Sequence, residues 1–133
     1  MDNDIKLLSE LVAIDTVAYG AHNYQDMASL LKEKIKGIGG SVDIVYAKAS
    51  DGKKRPNVIG RINNGKNETI ALNAHYDVVP VDRKDWKSDP FKLRVSGNRA
   101  YGRGASDDKS GIVVGLVAAE DEHQDYRGHR DHV

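Results

Sequence analysis

The chain has 133 residues, which is enough for one domain with a substantial apolar core. Its 20 Lys and Arg residues balance 20 Asp and Glu residues, so charge gives no support for a nucleic-acid or membrane partner, and we expect neither. Because there is no Cys, disulfides and thiolate metal sites are excluded, and any metal must be bound by His and carboxylate groups. The N-terminal segment resembles neither a signal peptide nor a membrane span, so we expect a cytoplasmic protein.

Apolar spacing along the chain predicts an α/β fold. Helical periodicity predicts helices over 5–14, 24–37 and 109–119. Strand-like runs cover 42–46, 57–62 and 69–74, and the last is apolar on both faces, as a central parallel strand would be. A hairpin is predicted from 91–95 and 99–101. We therefore expect three layers, with a mostly parallel sheet covered by the helices.

The C-terminal residues 120–133 break this pattern, since only Tyr126 and Val133 are large apolar residues there. Such a segment is not expected to dock a helix or strand on the domain. We therefore divide the chain into a domain over 1–119 and a polar tail over 120–133. The tail is expected to be disordered or non-native, through a frameshift, a premature stop or a cloning boundary.

A first candidate site is the triplet His75-Tyr76-Asp77, which directly follows the apolar run 69–74. Open α/β sheets bind ligands at the carboxyl ends of their strands. There His75 could offer one ring nitrogen to a metal, while Asp77, two residues on, points the same way and fixes the tautomer. A histidine at a strand end is also common as a satisfied structural residue, and the triplet alone leaves that alternative open.

A second candidate is Asp107-Asp108, in a glycine-rich turn before the third helix. Helix capping explains one carboxylate well, whereas a divalent cation would explain two. A phosphate-binding loop is excluded, because Asp108 and Arg103 stand where it needs glycine. A dinucleotide fingerprint starts at Gly102 and Gly104, but its third glycine is replaced by Asp107, which would repel a pyrophosphate.

Taken together, these segments resemble the zinc metallopeptidases that include aminoacylase, acetylornithine deacetylase, succinyl-diaminopimelate desuccinylase and glutamate carboxypeptidase. The resemblance covers about residues 4–119, the N-terminal part of the catalytic domain without the lid domain. Its specific parts are LNAHYDVVP over 72–80, Trp86 with DPF over 89–91, and YGRGASDDKSG over 101–111.

The resemblance implies a two-zinc site, with cobalt or manganese as alternatives. In it His75 binds one ion, Asp107 bridges both, and Asp77 is the catalytic-site residue that orients His75. Asp108 matches a position that varies among relatives and stays a capping residue. The implied reaction is hydrolysis of an amide bond in an N-acyl amino acid or small peptide, by a deacylase or exopeptidase that is a candidate homodimer when complete.

The family's general base is not matched. A Glu-Glu pair, of which the first is the base and the second a ligand, is expected some tens of residues after the metal-bridging carboxylate, and this chain ends before it. Glu120 and Glu122 are not expected to be this pair, because they follow the third helix directly instead of another strand. Solvated positions are expected for the tail histidines, His123, His129 and His132, and a capping or surface role for His22. Two classes of function remain: part of an amide hydrolase, or a catalytically inactive fragment or metal-binding or interaction module.

Overall fold

The computed structural model describes residues 2–19 and 23–130, without the side chains of 125–130. Its elements are α1 (Asn3–Ala13), α2 (Tyr24–Gly37), β1 (Ser41–Lys48), β2 (Lys54–Arg61), β3 (Arg94–Ser96), β4 (Arg99–Tyr101) and α3 (Lys109–Arg130), with a short 3₁₀ turn at Arg83–Asp85. The fold is therefore α/β, as predicted. Within these residues no helix combines the length and apolar character needed to cross a membrane.

The core lies between the three helices. Leu8, Leu11 and Val12 form the buried stripe of α1, and they follow the three- and four-residue spacing of one helix face. Met27 and Leu31 of α2 and Val113 of α3 complete the cluster. The two N-terminal helices were predicted correctly within two residues at each end, because their apolar periodicity decides both the element and its buried face.

The third helix is longer than predicted. It continues to Arg130, so its predicted end at 119 is wrong. A helix satisfies its own backbone hydrogen bonds and can continue through polar residues where no proline or strong breaker intervenes. Glu120 and Gln124 also form a hydrogen bond one turn apart at 3.2 Å. The division into a domain over 1–119 and a tail of separate origin stays a prediction.

Both sheets in the described part of the chain have two strands and are antiparallel. β1 pairs with β2 from Ser41 opposite Arg61 to Lys48 opposite Lys54. Parallel neighbours need a crossover of roughly a dozen residues or more, whereas only residues 49–53 connect these two strands, so this pair gives no support to the mostly parallel sheet expected from the sequence. β3 and β4 form the predicted hairpin, with a first strand shorter than expected.

Residues 69–74 are not in a strand, contrary to prediction. Ile70 is 86% exposed and Leu72 is 62% exposed, so the apolar side chains of this segment are not covered by neighbouring elements. A parallel strand requires hydrogen-bonding neighbours. Near this segment, the residues that the structure describes form a single parallel bridge, between Val17 and Val78. The parallel sheet is therefore not confirmed.

Candidate metal centre

Tyr76 is the anchor of the first candidate segment. Thr16, which is fully buried, donates its hydroxyl to the Tyr76 carbonyl, and the Tyr76 phenol donates to the Pro56 carbonyl on β2. The Tyr76 ring also lies 5.4 Å from the Tyr24 ring. Neighbouring side chains of an extended segment point to opposite sides, so this inward Tyr76 places the side chains before and after it on the exposed side.

His75 and Asp77 accordingly lie on the exposed side, and the His75 ring lies between two carboxylates. Its Nδ1 is 3.2 Å from Asp77 Oδ1 and 3.1 Å from the Asp77 carbonyl oxygen. Its Nε2 is 2.9 Å from Asp107 Oδ1, although the two residues are 32 positions apart. The expected convergence of His75 and Asp107, with Asp77 behind the ring, is therefore present, whereas their roles as ligands and orienter stay predictions.

The charges around His75 favour its protonated form. Partial burial lowers the pKa of His75, but the hydrogen bonds to Asp77 and Asp107 and the attraction of both carboxylates raise this pKa by more. The net pKa lies above the ordinary value of 6.5. In the neutral ring, a proton held on Nδ1 by Asp77 leaves the Nε2 lone pair directed toward Asp107.

The turn that contains Asp107 is held from both sides. Asp108 Oδ2 accepts a hydrogen bond of 3.4 Å from the His75 amide, and the Asp108 carboxylate also lies beside Gly111 in the first turn of α3. Asp108 directly precedes α3, so its role as a capping residue stays a prediction, and its contact with the His75 segment was not predicted. The Asp107-Asp108 peptide bond is cis.

Lys109 is the residue that sequence reasoning missed. Its side chain is 0% exposed, and Nζ donates to the carbonyls of Leu11 at 2.9 Å and Ile14 at 2.8 Å. Burial lowers the pKa of Lys109 to about 8, against a smaller upward effect of Asp15. A lysine that follows two aspartates in a polar turn is ordinarily expected to be exposed to solvent. No local pattern in the sequence indicates hydrogen-bond acceptors almost a hundred positions away.

A shallow cleft borders the His75 and Asp107 pair. The guanidinium of Arg103 lies 5.3 Å from the centre of the Trp86 ring, and the Arg103 amide donates to the Pro90 carbonyl at 2.7 Å. These contacts attach the loop over 78–90 to the glycine-rich turn. The cleft is lined by His75, Asp77, Val78, Val79, Gly102, Arg103, Gly104, Ser106 and Asp107.

The alternative candidates do not join this site where the structure describes them. Glu120 bonds Gln124, and Glu122 lies 3.8 Å from Lys66, so both glutamates contact other parts of the chain. His123 contacts Gly39 beyond the end of α2, which contradicts the expectation that the tail docks on nothing. His22, His132 and the side chain of His129 lie outside the described residues.

The donor set fits a divalent cation in chemistry but is small. His nitrogen and carboxylate oxygen are the ligands that zinc takes in the absence of thiolate. His75 Nε2 and Asp107 Oδ1 already face each other, and Asp107 is 88% exposed, which leaves room for further donors. Among residues 2–19 and 23–130, however, no group of three or more His, Asp or Glu side chains could hold a metal. The described chain therefore supplies two facing donors.

Comparisons with known proteins cover the two segments that form this site. The sequence model of peptidase family M20/M25/M40 matches residues 71–132, which include both candidate segments. An uncharacterised metallohydrolase of Methanococcus maripaludis is 32% identical over 127 residues, covering 88% of this chain and 31% of the relative. A second uncharacterised metallohydrolase, from Methanocaldococcus jannaschii, is 28% identical over the same shares of both chains. The chain thus spans about a third of these relatives.

Solved structures show the same fold. The crystal structure of an M20 family metallo-carboxypeptidase from Sulfolobus solfataricus matches with a TM-score of 0.80 and 29% identity, over 91% of this chain and 27% of that one. Human carnosine dipeptidase 1 matches in fold with a TM-score of 0.80 and 24% identity, over 92% and 28%. Family model, relatives and structures all cover the His75 and Asp107 segments, and over residues 71–132 the chain is similar to peptidase family M20/M25/M40.

Proposed function

We propose that this chain forms part of the metal centre of a hydrolase that cleaves an amide bond in an N-acyl amino acid or a small peptide. The observation that carries the proposal is the His75 ring held between Asp77 and Asp107, inside the segment that matches a peptidase family. The substrate is a small molecule or peptide, with no nucleic-acid or membrane partner, and the complete enzyme is a homodimer. The cytoplasmic location expected from the sequence stays a prediction.

The proposed roles follow from the contacts of each side chain. Asp77 would hold the Nδ1 proton of His75, so that Nε2 would be free to bind a metal, and Asp107 would supply a carboxylate ligand to it. Two zinc ions, with cobalt or manganese as substitutes, are the metals that the family resemblance implies, and the nitrogen and oxygen donors at this site are compatible with them. When bound, the metal supplies Lewis-acid polarisation of the amide carbonyl.

A second candidate is that the chain alone is a catalytically inactive fragment or a metal-binding or interaction module. It is favoured by the finding that the described residues provide no group of three metal-binding side chains. Catalytic zinc usually has three protein ligands per site. Under either candidate, the isolated chain is expected to bind zinc weakly and to show no turnover.

The proposal extends to the fold of the complete domain, in which residues 69–74 would be a central strand of a three-layer, mostly parallel sheet. In support, Ile70, Leu72 and Ala74 would form one apolar face of such a strand, and Ile70 and Leu72 are exposed here. The metallo-carboxypeptidase structure is also about three to four times as long as this chain, since this chain covers 27% of it. A crystal structure that includes the remaining sequence of such a domain would refute this if 69–74 stayed unpaired.

Zinc titration of the 133-residue chain by calorimetry and NMR tests the metal site. We expect zinc binding to shift the resonances of the His75 ring. His75→Ala and Asp107→Asn should each lower the zinc affinity by about tenfold or more. Matched controls are His123→Ala, which removes a histidine outside the site, and Asp121→Asn on the exposed side of α3. Equal affinity in all variants, or loss in the controls as well, would contradict the assignment of His75 and Asp107 as ligands.

Turnover assays separate the two candidates. N-acetyl amino acids, N-succinyl amino acids and dipeptides would be assayed with added zinc or cobalt, for this chain and for a longer protein that supplies the family's Glu-Glu pair. The chain is expected to be inactive and the longer protein active, with that activity lost in His75→Ala. Chelator-sensitive turnover by the chain alone would refute the proposal that the chain is catalytically inactive. Inactivity of the longer protein on every substrate would refute the proposed hydrolase function.

A further inference from the structure

The buried lysine at the start of α3 has contacts that the proposed reaction does not explain. Lys109 follows Asp108 and has no exposed surface, although lysine is almost never fully buried unless it is paired. Its Nζ donates to the carbonyls of Leu11 and Ile14, 2.9 and 2.8 Å away. These carbonyls lie at the end of α1, where the last helical carbonyls have no partner within the helix.

The lysine connects the Asp107 turn to a segment 98 positions earlier. The Lys109 amide also donates to the Gly104 carbonyl at 3.0 Å, which closes the turn over 104–109 on itself. The turn is thus a closed unit, and its lysine side chain attaches that unit to the end of α1.

The same part of the chain also holds the other half of the site. Thr16, two residues after Ile14, donates to the Tyr76 carbonyl, and the Thr16 carbonyl accepts from the Val78 amide at 3.1 Å. Residues 11–16 are therefore a common frame for both candidate segments. A shift of the Asp107 turn against this frame would change the separation between the Asp107 carboxylate and the His75 ring.

We propose that Lys109 is a positioning residue, whose buried ammonium group holds the Asp107 turn against the end of α1 and so sets Asp107 at its distance from His75. The importance for metal binding rests on the function proposed above, but the geometric role does not require a bound metal. The competing explanation is that Lys109 only adds to the stability of the core. That explanation predicts no effect on zinc affinity beyond the effect of any equally destabilising core change.

The test compares Lys109→Met with Leu31→Ala in the 133-residue chain. Met keeps an unbranched side chain but removes the donor, while Leu31→Ala creates a cavity at a 6% exposed position of α2. In metal-free Lys109→Met, we expect the rates of amide hydrogen exchange over 105–112 to rise about tenfold or more above wild type, after correction for any change in the rates over α2. Zinc affinity should also fall about tenfold in that variant, whereas Leu31→Ala leaves it within about twofold.

Lys109→Gln is a milder variant, because the glutamine side chain is shorter than lysine and its amide group can reach at most one of the two carbonyls. Its zinc affinity and its exchange over 105–112 should lie between wild type and Lys109→Met. If the Met variant does not fold, the Gln variant decides: a local rise in exchange supports the proposal, and unchanged exchange refutes it. Zinc loss equal in Lys109→Met and Leu31→Ala would also overturn it.

The outcomes separate this proposal from the proposed function. If wild type binds no zinc but Lys109→Met loosens 105–112 selectively, the metal site fails and the positioning role stands. If wild type binds zinc through His75 and Lys109→Met has wild-type affinity and exchange, the metal site stands and the positioning role fails.

Discussion

Gly104 allows a direct test of how tightly the turn that contains Asp107 is packed. Its φ is +81°, a conformation that costs an L-residue about 1–2 kcal/mol. A Cβ there would lie 2.6 Å from Val78 Cγ1 and 3.2 Å from Lys109 Cδ. Both neighbours are buried, so neither can move away freely, and overpacking of this kind costs about 1–3 kcal/mol more. Gly104→Ala should lower the free energy of unfolding by about 2–5 kcal/mol.

Gly97, in the β3-β4 turn, is the matched control. It also has positive φ, +59°, but a Cβ there would meet nothing within 4 Å. Gly97→Ala should therefore cost only the backbone part, about 1–2 kcal/mol. Urea unfolding followed by circular dichroism and Trp86 fluorescence measures both. In addition, Val78→Ala should cost less in the Gly104→Ala background than in wild type, because it removes the clashing methyl group. Equal losses at Gly104 and Gly97 without such coupling would refute the packing argument.

Three further predictions concern the site and its supports. In metal-free protein, NMR titration should give His75 a pKa above 6.5, and this pKa should fall in Asp107→Asn. The stabilisation of the fold by the protonated His75 is present below pH 6.5 and is lost as pH rises through the raised pKa, and zinc binding should strengthen over the same range. Leu11→Ala should lower the free energy of unfolding by about 2–5 kcal/mol, while Val114→Ala, 67% exposed, changes it by about 0.5 kcal/mol or less. Tyr76→Phe removes a hydroxyl donated to β2 and should cost about 1 kcal/mol in the same unfolding assay, and no loss would contradict the anchoring role.

Local patterns were sufficient for some of these features. The helix over 24–37 has its observed bounds because apolar spacing marks its buried face and Gly39-Gly40 follows it. The meeting of His75 and Asp107 was predicted only because both segments were read together as parts of one resemblance. Either segment alone left a structural alternative open.

Other features could have been predicted and were not. The predicted strands over 42–46 and 57–62 are separated by ten residues, fewer than a parallel crossover usually needs, so this spacing already favoured an antiparallel pair. The helix over 120–130 was not predicted, because this segment has few apolar residues and therefore no apolar periodicity that would indicate a helix. A polar segment can continue a helix that has already formed, since propagation adds one hydrogen bond for each residue fixed.

The contacts that position the site were beyond prediction for a different reason. The family match begins at residue 71, yet the groups that hold its two segments in place come from residues 11–16. Main-chain carbonyls supply three of these contacts, at Leu11, Ile14 and Thr16, and any residue type provides a carbonyl. The acceptors of Lys109 at Leu11 and Ile14 therefore leave no trace in the sequence, while the donor leaves only a lysine that looks solvated. Residues that perform chemistry can be recognised by type and spacing, but the backbone groups that fix their distances become visible only in the folded chain.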